Sequence, residues 1–302
     1  MRLEVLSVLL VLVEKVLRTF RHIERRFIMA CGDNGGCSGC ASSSGCGTQQ
    51  PVDLTVKTND RSHVKKVIGI VSGKGGVGKS LVTSLMAVSQ SRKGKSVGIL
   101  DGDITGPSIP KVFGLKDKVR SDDGKLMYPI VSKNGVKVMS VNLLLDDESD
   151  PVLWRGPVVG NVVKQFFSDT VWGDVDYLFV DMPPGTGDVA MTVFQSLPLD
   201  GIIVVTSPQD LVSMIVEKAV KMADMMQVPI IGVVENFAYF HCPDNGKDYK
   251  IFGESHIDEV LKKYNLLLLG RLPIDPKVAE LCDAGEIETI TTTNLESVGL
   301  PE

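Results

Sequence analysis

A chain of 302 residues, with 43% hydrophobic and 23% charged side chains, has the composition of a globular protein and not of a disordered or fibrous one. Its formal net charge of −5 argues against a general nucleic-acid binder, which would need basic surface to neutralise phosphates. An uncharged, mostly Leu/Val run at 5–13 falls well short of the roughly 20 residues of a spanning helix, so no stable membrane span is expected.

Residues 1–28 carry six Lys/Arg against three Glu, leaving the rest of the chain the more acidic. Leu3, Leu6, Leu10, Val13 and Leu17 keep a heptad-like spacing that fits a helix. Most of the positive charge comes last, the reverse of a secretory signal, and the glutamates disfavour a mitochondrial transit segment. Met29 stands directly before Ala30-Cys31. The expectation is that 1–28 is upstream sequence or, alternatively, an interfacial or partner-binding helix.

Residues 29–63 read as a flexible cysteine-rich segment, with almost no apolar side chains before Val52 to support folding. Cys31, Cys37, Cys40 and Cys46 are spaced C-x5-C-x2-C-x5-C. Four thiolates on a glycine-rich backbone suit an iron–sulfur cluster. Zinc is the rival ligand, although structural zinc sites usually show two short knuckles and only one occurs here. An unliganded tail is the third reading. Crowded thiols without an export signal point to ligation in a reducing, cytoplasmic setting and away from disulfides.

Over 64–290 strand-like runs alternate with helix-like segments, the sign of an α/β domain with a mostly parallel sheet covered on both faces. The run 67–71 leads into Ser72-Gly73-Lys74-Gly75-Gly76-Val77-Gly78-Lys79-Ser80, and a helical segment follows at 81–90. This is the phosphate-loop pattern G-x-x-x-x-G-K-[ST] in strand–loop–helix context. Its glycines let backbone N–H groups face a phosphate, and the helix aims its positive end at the same point. Lys79 is placed for the β/γ-phosphates and the Ser80 hydroxyl for Mg²⁺.

The next apolar run, 96–100, ends at Asp101-Gly102-Asp103, at the crevice where such sheets bind ligands. Asp103 is placed to position an attacking water and Asp101 to support magnesium or the loop. The alternative is two turn aspartates before Gly106-Pro107. Residues 116–129 read as a polar excursion or hairpin, 136–141 as a strand, and 156–170 as a helix burying Val158, Val159, Val162, Val163, Phe166 and Phe167. The strand 177–181 ends in Asp181, in the Walker-B position for Mg²⁺ through water. Gly185 follows in D-x-x-x-G spacing, so its N–H is placed to sense a γ-phosphate and to release the loop once hydrolysis removes that group. Strands at 201–206 and 230–234 flank a helix at 211–226, where Met214, Met222, Met225 and Met226 read as core filler. Asn236 is suited to an adenine edge because its amide both donates and accepts. After the turn-rich His241-Cys242-Pro243-Asp244-Asn245 come a helix at 254–264, a short strand at 266–269 and a last helix from Asp275-Pro276 to Gly285, with Cys282 packed inside it. Residues 291–302 read as a polar tail.

These residues resemble the deviant-Walker ATPases and, among them, the Mrp/ApbC-type iron–sulfur cluster carriers. The resemblance is carried by Gly73 to Ser80, the run 100–108, Trp154-Arg155-Gly156-Pro157, Asp181 to Asp188, Glu235-Asn236 and 270–275, and by the four N-terminal cysteines of one subgroup. It implies a P-loop NTPase that binds and slowly hydrolyses ATP with Mg²⁺. It implies a homodimer in which Lys74 reaches the partner subunit's nucleotide, and a labile [4Fe–4S] cluster passed to apo-proteins. Family members place C-x-x-C where this chain has Cys242 and Asn245, so two chains would bring only two thiolates there. His241 is the conceivable substitute, and the N-terminal array becomes the better-supported cluster site. A MinD/ParA-like positioning ATPase and a nitrogenase-reductase-like electron donor are the alternatives.

Overall fold

The computed structural model describes residues 55–301, apart from 105, 122–123, 146–155, 186 and 209–211. The segment 1–28, the four N-terminal cysteines and Trp154-Arg155 therefore lie outside the described residues.

Runs of Val, Ile and Leu form β1 (Ser62–Val71), β2 (Val97–Asp101), β5 (Gly173–Asp181), β6 (Gly201–Thr206) and β7 (Ile230–Glu235). Shorter strands β3 (Ile130–Val131), β4 (Lys137–Met139) and β10 (Leu268–Arg271) complete an eight-stranded sheet of order β10-β7-β6-β1-β5-β2-β4-β3. All neighbours are parallel except β3 with β4. β2 and β6 are buried at every position, so the sheet is covered on both faces as the alternation of elements requires.

The coverings include α1 (Lys79–Arg92), α3 (Gly156–Ser168), α4 (Asp188–Ser196), α5 (Val212–Met226) and α6 (Ile257–Tyr264). One-turn α2 (Ile109–Val112) and α7 (Pro276–Ala284) stand together near the mouth of the sheet. Asp275 caps α7 by accepting from Lys277 N at 2.9 Å, and Gly285, with φ of 71°, ends it. α3 buries Val159, Val162, Val163, Phe166 and Phe167, with Val158 half-buried, and Gly160 lets α4 come close: a Cβ there would stand 2.6 Å from Thr192 Cγ2.

The element order places the site. β5 lies between β1 and β2, with Ile70 and Asp101 both in register with Asp181. The carboxyl ends of three adjacent strands thus deliver the glycine loop, Asp101 to Asp103 and Asp181 to one point.

Two expectations need correction. On α5, Met222 is buried and Met226 partly so, but Met225 is 72% exposed and Met214 45%. Residues 214 and 225 lie eleven apart, three turns along one face, and that face points away from the sheet. Cys282 packs against the core as expected, half-buried and on the wall of a cleft. The end of the chain is no loose polar tail, because Leu295 and Val298 join the core. Ser89 Oγ donates to Leu295 O at 3.3 Å and Lys93 Nζ to Val298 O at 3.0 Å, binding this segment across α1. Isolated apolar residues among threonines carry no period, so the sequence does not mark the segment as packed.

Leu295→Ala should therefore destabilise the fold by about 2–5 kcal/mol, as for other buried leucines. The effect should appear as a lower denaturation midpoint at unchanged slope. A midpoint equal to that of the parent would return the segment to a surface tail.

Candidate functional site

Between β1 and α1 the backbone reverses through two glycines, Gly76 and Gly78, with φ of 81° and 80°. L side chains rarely adopt these angles. At Gly78 a Cβ would also stand 2.2 Å from Asn236 Nδ2, so glycine is required there on two counts. The Cβ directions of Gly75 and Gly76 are open, on the wall of a cleft of about 670 Å³. Gly78 caps α1 with no side-chain hydrogen bond, which leaves the first-turn amides for an anion in that cleft. Lys74 is exposed on the loop, and Gly73 is pressed against α5, where a Cβ would meet Ile215 at 2.6 Å.

Under the loop lies Asp181, wholly buried at the end of β5. Lys79 Nζ donates to its Oδ1 at 2.6 Å and Ser80 Oγ to its Oδ2 at 2.5 Å. Thr83 Oγ1, one turn further along α1, reaches Oδ1 at 3.1 Å. Asp103 Oδ2 stands 3.8 Å from Lys79 Nζ. Ser80 and Asp181 offer hard oxygen donors suited to Mg²⁺.

Asp101 is held by Ser140 Oγ at 3.0 Å and by the Asp103 N–H at 3.3 Å, while Gly102 N donates to Asp181 O at 2.9 Å. A Cβ on Gly102 would sit 2.9 Å from that same oxygen, so this crossing also needs glycine. The geometry makes Asp101 a support for the Asp103 loop. Burial and then the neighbouring Asp181 charge push the Asp101 carboxyl up to about 8, against the pull of Lys79 and Ser140.

The Gly185 N–H donates to Ser72 O at 2.9 Å, so the loop after Asp181 is latched to the start of the phosphate loop. Asn236 is buried and donates from Nδ2 to Val77 O at 2.9 Å, leaving Oδ1 without a partner among the described residues. One N–H of the amide thus holds the loop, while its second N–H and Oδ1 keep the donor and acceptor expected for an adenine edge. Ser72 Oγ is likewise buried and without a partner among the described residues. The residues expected in 73–80, with Asp101, Asp103, Asp181, Gly185 and Asn236, therefore meet in one place.

Cys242 does not join them. It opens the turn between β8 (Phe240–His241) and β9 (Asp248–Tyr249). Asn245 builds that turn, donating from Nδ2 to the Tyr249 hydroxyl at 2.9 Å and accepting from Lys247 N at 3.0 Å. His241 Nδ1 lies 2.7 Å from Asp248 Oδ1 across the hairpin. Among the described residues no three His, Cys, Asp or Glu side chains are grouped to hold a metal, so Cys242 and His241 do not form a complete set within one chain.

Sequence reasoning missed Thr83 and Ser140. Thr83 had a signal, being four residues after Lys79 and on its helical face. Ser140 comes from the end of β4, and only the sheet register brings it to Asp101.

A phosphate loop at the end of a central parallel strand, with a buried strand-end aspartate beneath it, defines a P-loop nucleotide hydrolase. The MinD cell division protein of Aquifex aeolicus shares this fold at 20% identity, with a TM-score of 0.54 over 76% of this chain and 92% of that one. A nucleotide-binding protein of Archaeoglobus fulgidus, solved in complex with ADP, matches at 39% identity and a TM-score of 0.72, covering 79% of this chain and 94% of its own. The iron–sulfur cluster carrier protein of Clostridium perfringens is 43% identical over 273 residues, which are 88% of this chain and 94% of that protein. The ParA family model described as NUBPL iron-transfer P-loop NTPase matches residues 63–298. The chain belongs to that family.

The raised carboxyl of Asp101 has a consequence for stability. Its folded pKa lies above the ordinary carboxyl value of 3.8, so the native state holds an extra proton between about pH 4 and 8. Its contribution to stability falls as pH rises through that window and levels off above it. Asp101→Asn should flatten this dependence when denaturation midpoints are measured across the range. A slope equal to that of the parent would contradict the assignment.

Proposed function

We propose that this protein is an ATPase that carries iron–sulfur clusters, binding a labile [4Fe–4S] unit as cargo and handing it to apo-proteins. The observation that supports this most directly is the convergence of Lys79 and Ser80 on buried Asp181 beneath the glycine loop, in a family described by iron transfer. Relatives named as cluster carriers at about two-fifths identity over most of the chain support the cargo.

In this reading the triphosphate lies along the cradle of Gly73 to Ser80, and Lys79 turns from Asp181 to the β/γ-phosphate oxygens. Ser80, and Asp181 through water, would hold Mg²⁺, which would neutralise phosphate charge. Asp103, supported through Asp101 and Ser140, orients the water whose oxygen attacks the γ-phosphorus as the bond to the ADP oxygen breaks. The Gly185 N–H exchanges Ser72 O for a γ-phosphate oxygen, so the loop after Asp181 reports which nucleotide is bound. Two chains form a homodimer in which Lys74 completes the partner's site. Cys31, Cys37, Cys40 and Cys46 hold the cluster, with Cys242 as a further ligand, in the reducing cytoplasm where their thiols persist. No helix among the described residues is long and apolar enough to cross a membrane.

Two sets of measurements test this. Lys79→Ala should abolish hydrolysis; Lys74→Ala should still bind ATP while turnover falls by about 10²–10³-fold, the usual loss for a missing charge stabiliser. Undiminished turnover in Lys74→Ala would refute the cross-subunit role. Protein isolated without oxygen should be brown and contain iron and sulfide, and Cys37→Ser with Cys40→Ser should remove most of the iron. A colourless, zinc-containing protein would end the carrier assignment.

A further inference from the structure

Phe237 immediately follows Asn236 and has φ of 60°, the left-handed region that non-glycine residues seldom occupy outside functional or strained sites. Its ring is wedged between two parts of the molecule. On one side it meets the phosphate loop, since a Cβ on Gly78 would lie 3.5 Å from its Cζ. On the other it meets Phe252, with ring centroids 6.4 Å apart and planes tilted by 52°, a favourable aromatic pairing. Phe252 is 45% exposed and lies three residues beyond β9, the strand that closes the Cys242 hairpin.

The backbone runs the same way. Ala238 N donates to Leu272 O at 2.9 Å and Ile274 N to Tyr239 O at 2.7 Å. The segment entering β8 is thus stitched to the 272–274 wall of the cleft. A displacement at Gly78 reaches Asn236 and Phe237 directly, because both stand against that glycine. Residues 238 and 239 are pinned, and the ring of Phe237 both lines the cleft and rests on Phe252, so a shift of that ring is felt at Phe252.

We propose that the Phe237–Phe252 ring pair is the link through which nucleotide in the phosphate loop alters the accessibility of the Cys242 thiol. Phe252 is in this sense a positioning residue for Cys242. The inference rests on the reading of the cleft as an ATP site and extends it to the cysteine hairpin.

The test is alkylation of the full-length, reduced, cluster-free protein by iodoacetamide, followed peptide by peptide by mass spectrometry, with and without ATP and Mg²⁺. Cys282 lines the nucleotide cleft and reports occupancy within the same experiment. In the parent protein ATP should slow labelling of Cys282 and change the rate at Cys242 by about fivefold or more, the low end of ordinary coupling between sites. Phe252→Ala, an exposed position, should keep ATP affinity and Cys282 protection but abolish the effect at Cys242, and Phe252→Tyr should restore it. Protection of Cys282 without any change at Cys242 overturns the coupling and leaves the ATP site standing. Nucleotide dependence at Cys242 that survives Phe252→Ala overturns the role of the ring pair. Absence of ATP binding in a separate titration removes the site and the coupling together.

Discussion

The carboxylate of Asp181 is buried in the middle of the sheet, where an unpaired charge would cost several kcal/mol. It is tolerated because an ammonium and two hydroxyls from a single helix converge on it. That demand fixes the pitch of α1 against β5, and the position of α1 in turn sets the exit of the glycine loop. Asp101 is buried beside it, and burial first and the Asp181 charge second suppress its own ionisation. Much of the site's geometry follows from one charge that must be shared among neighbours, and a ligand that takes Lys79 from it must compensate the group left behind.

Around that centre the cleft is closed by parts of the chain far apart in sequence. Residues 272–279 follow β10 at one edge of the sheet, and 289–294 come from beyond α7. Gly114 and Gly285 meet where α2 and α7 end; a Cβ on the first would stand 2.6 Å from the carbonyl oxygen of the second. Glu235 beneath this wall is fully buried and held by Arg271 Nε at 2.9 Å and by Ser255 Oγ. Asn236 is thereby fixed from below as well as from the phosphate loop.

What could be read from the sequence was local in origin. The glycine loop, the apolar runs ending in Asp101 and Asp181, and the capped helix from Asp275 to Gly285 carry their signals within a few residues, and the fold and the centre of the site followed. Ser140 was invisible because its partner is set by strand register. Met214 and Met225 misled because composition says nothing about which side of a helix faces the sheet. Leu295 and Val298 hid among threonines without a period. Asn245 could be seen as a departure from a paired cysteine, but its work in the turn needed Tyr249 and Lys247 to be placed in space. The four N-terminal cysteines fall outside the described residues, so their part rests on spacing and family.

The segment 289–298 crosses the outer side of α1 and supplies part of the cleft wall, while the phosphate loop belongs to the first strand of the sheet. During synthesis the glycine loop leaves the ribosome more than 200 residues before that last piece of wall. A partly made chain therefore presents its phosphate cradle without the surface that encloses a nucleotide. Enclosure of the cleft thus waits on the packing of 289–298 against α1.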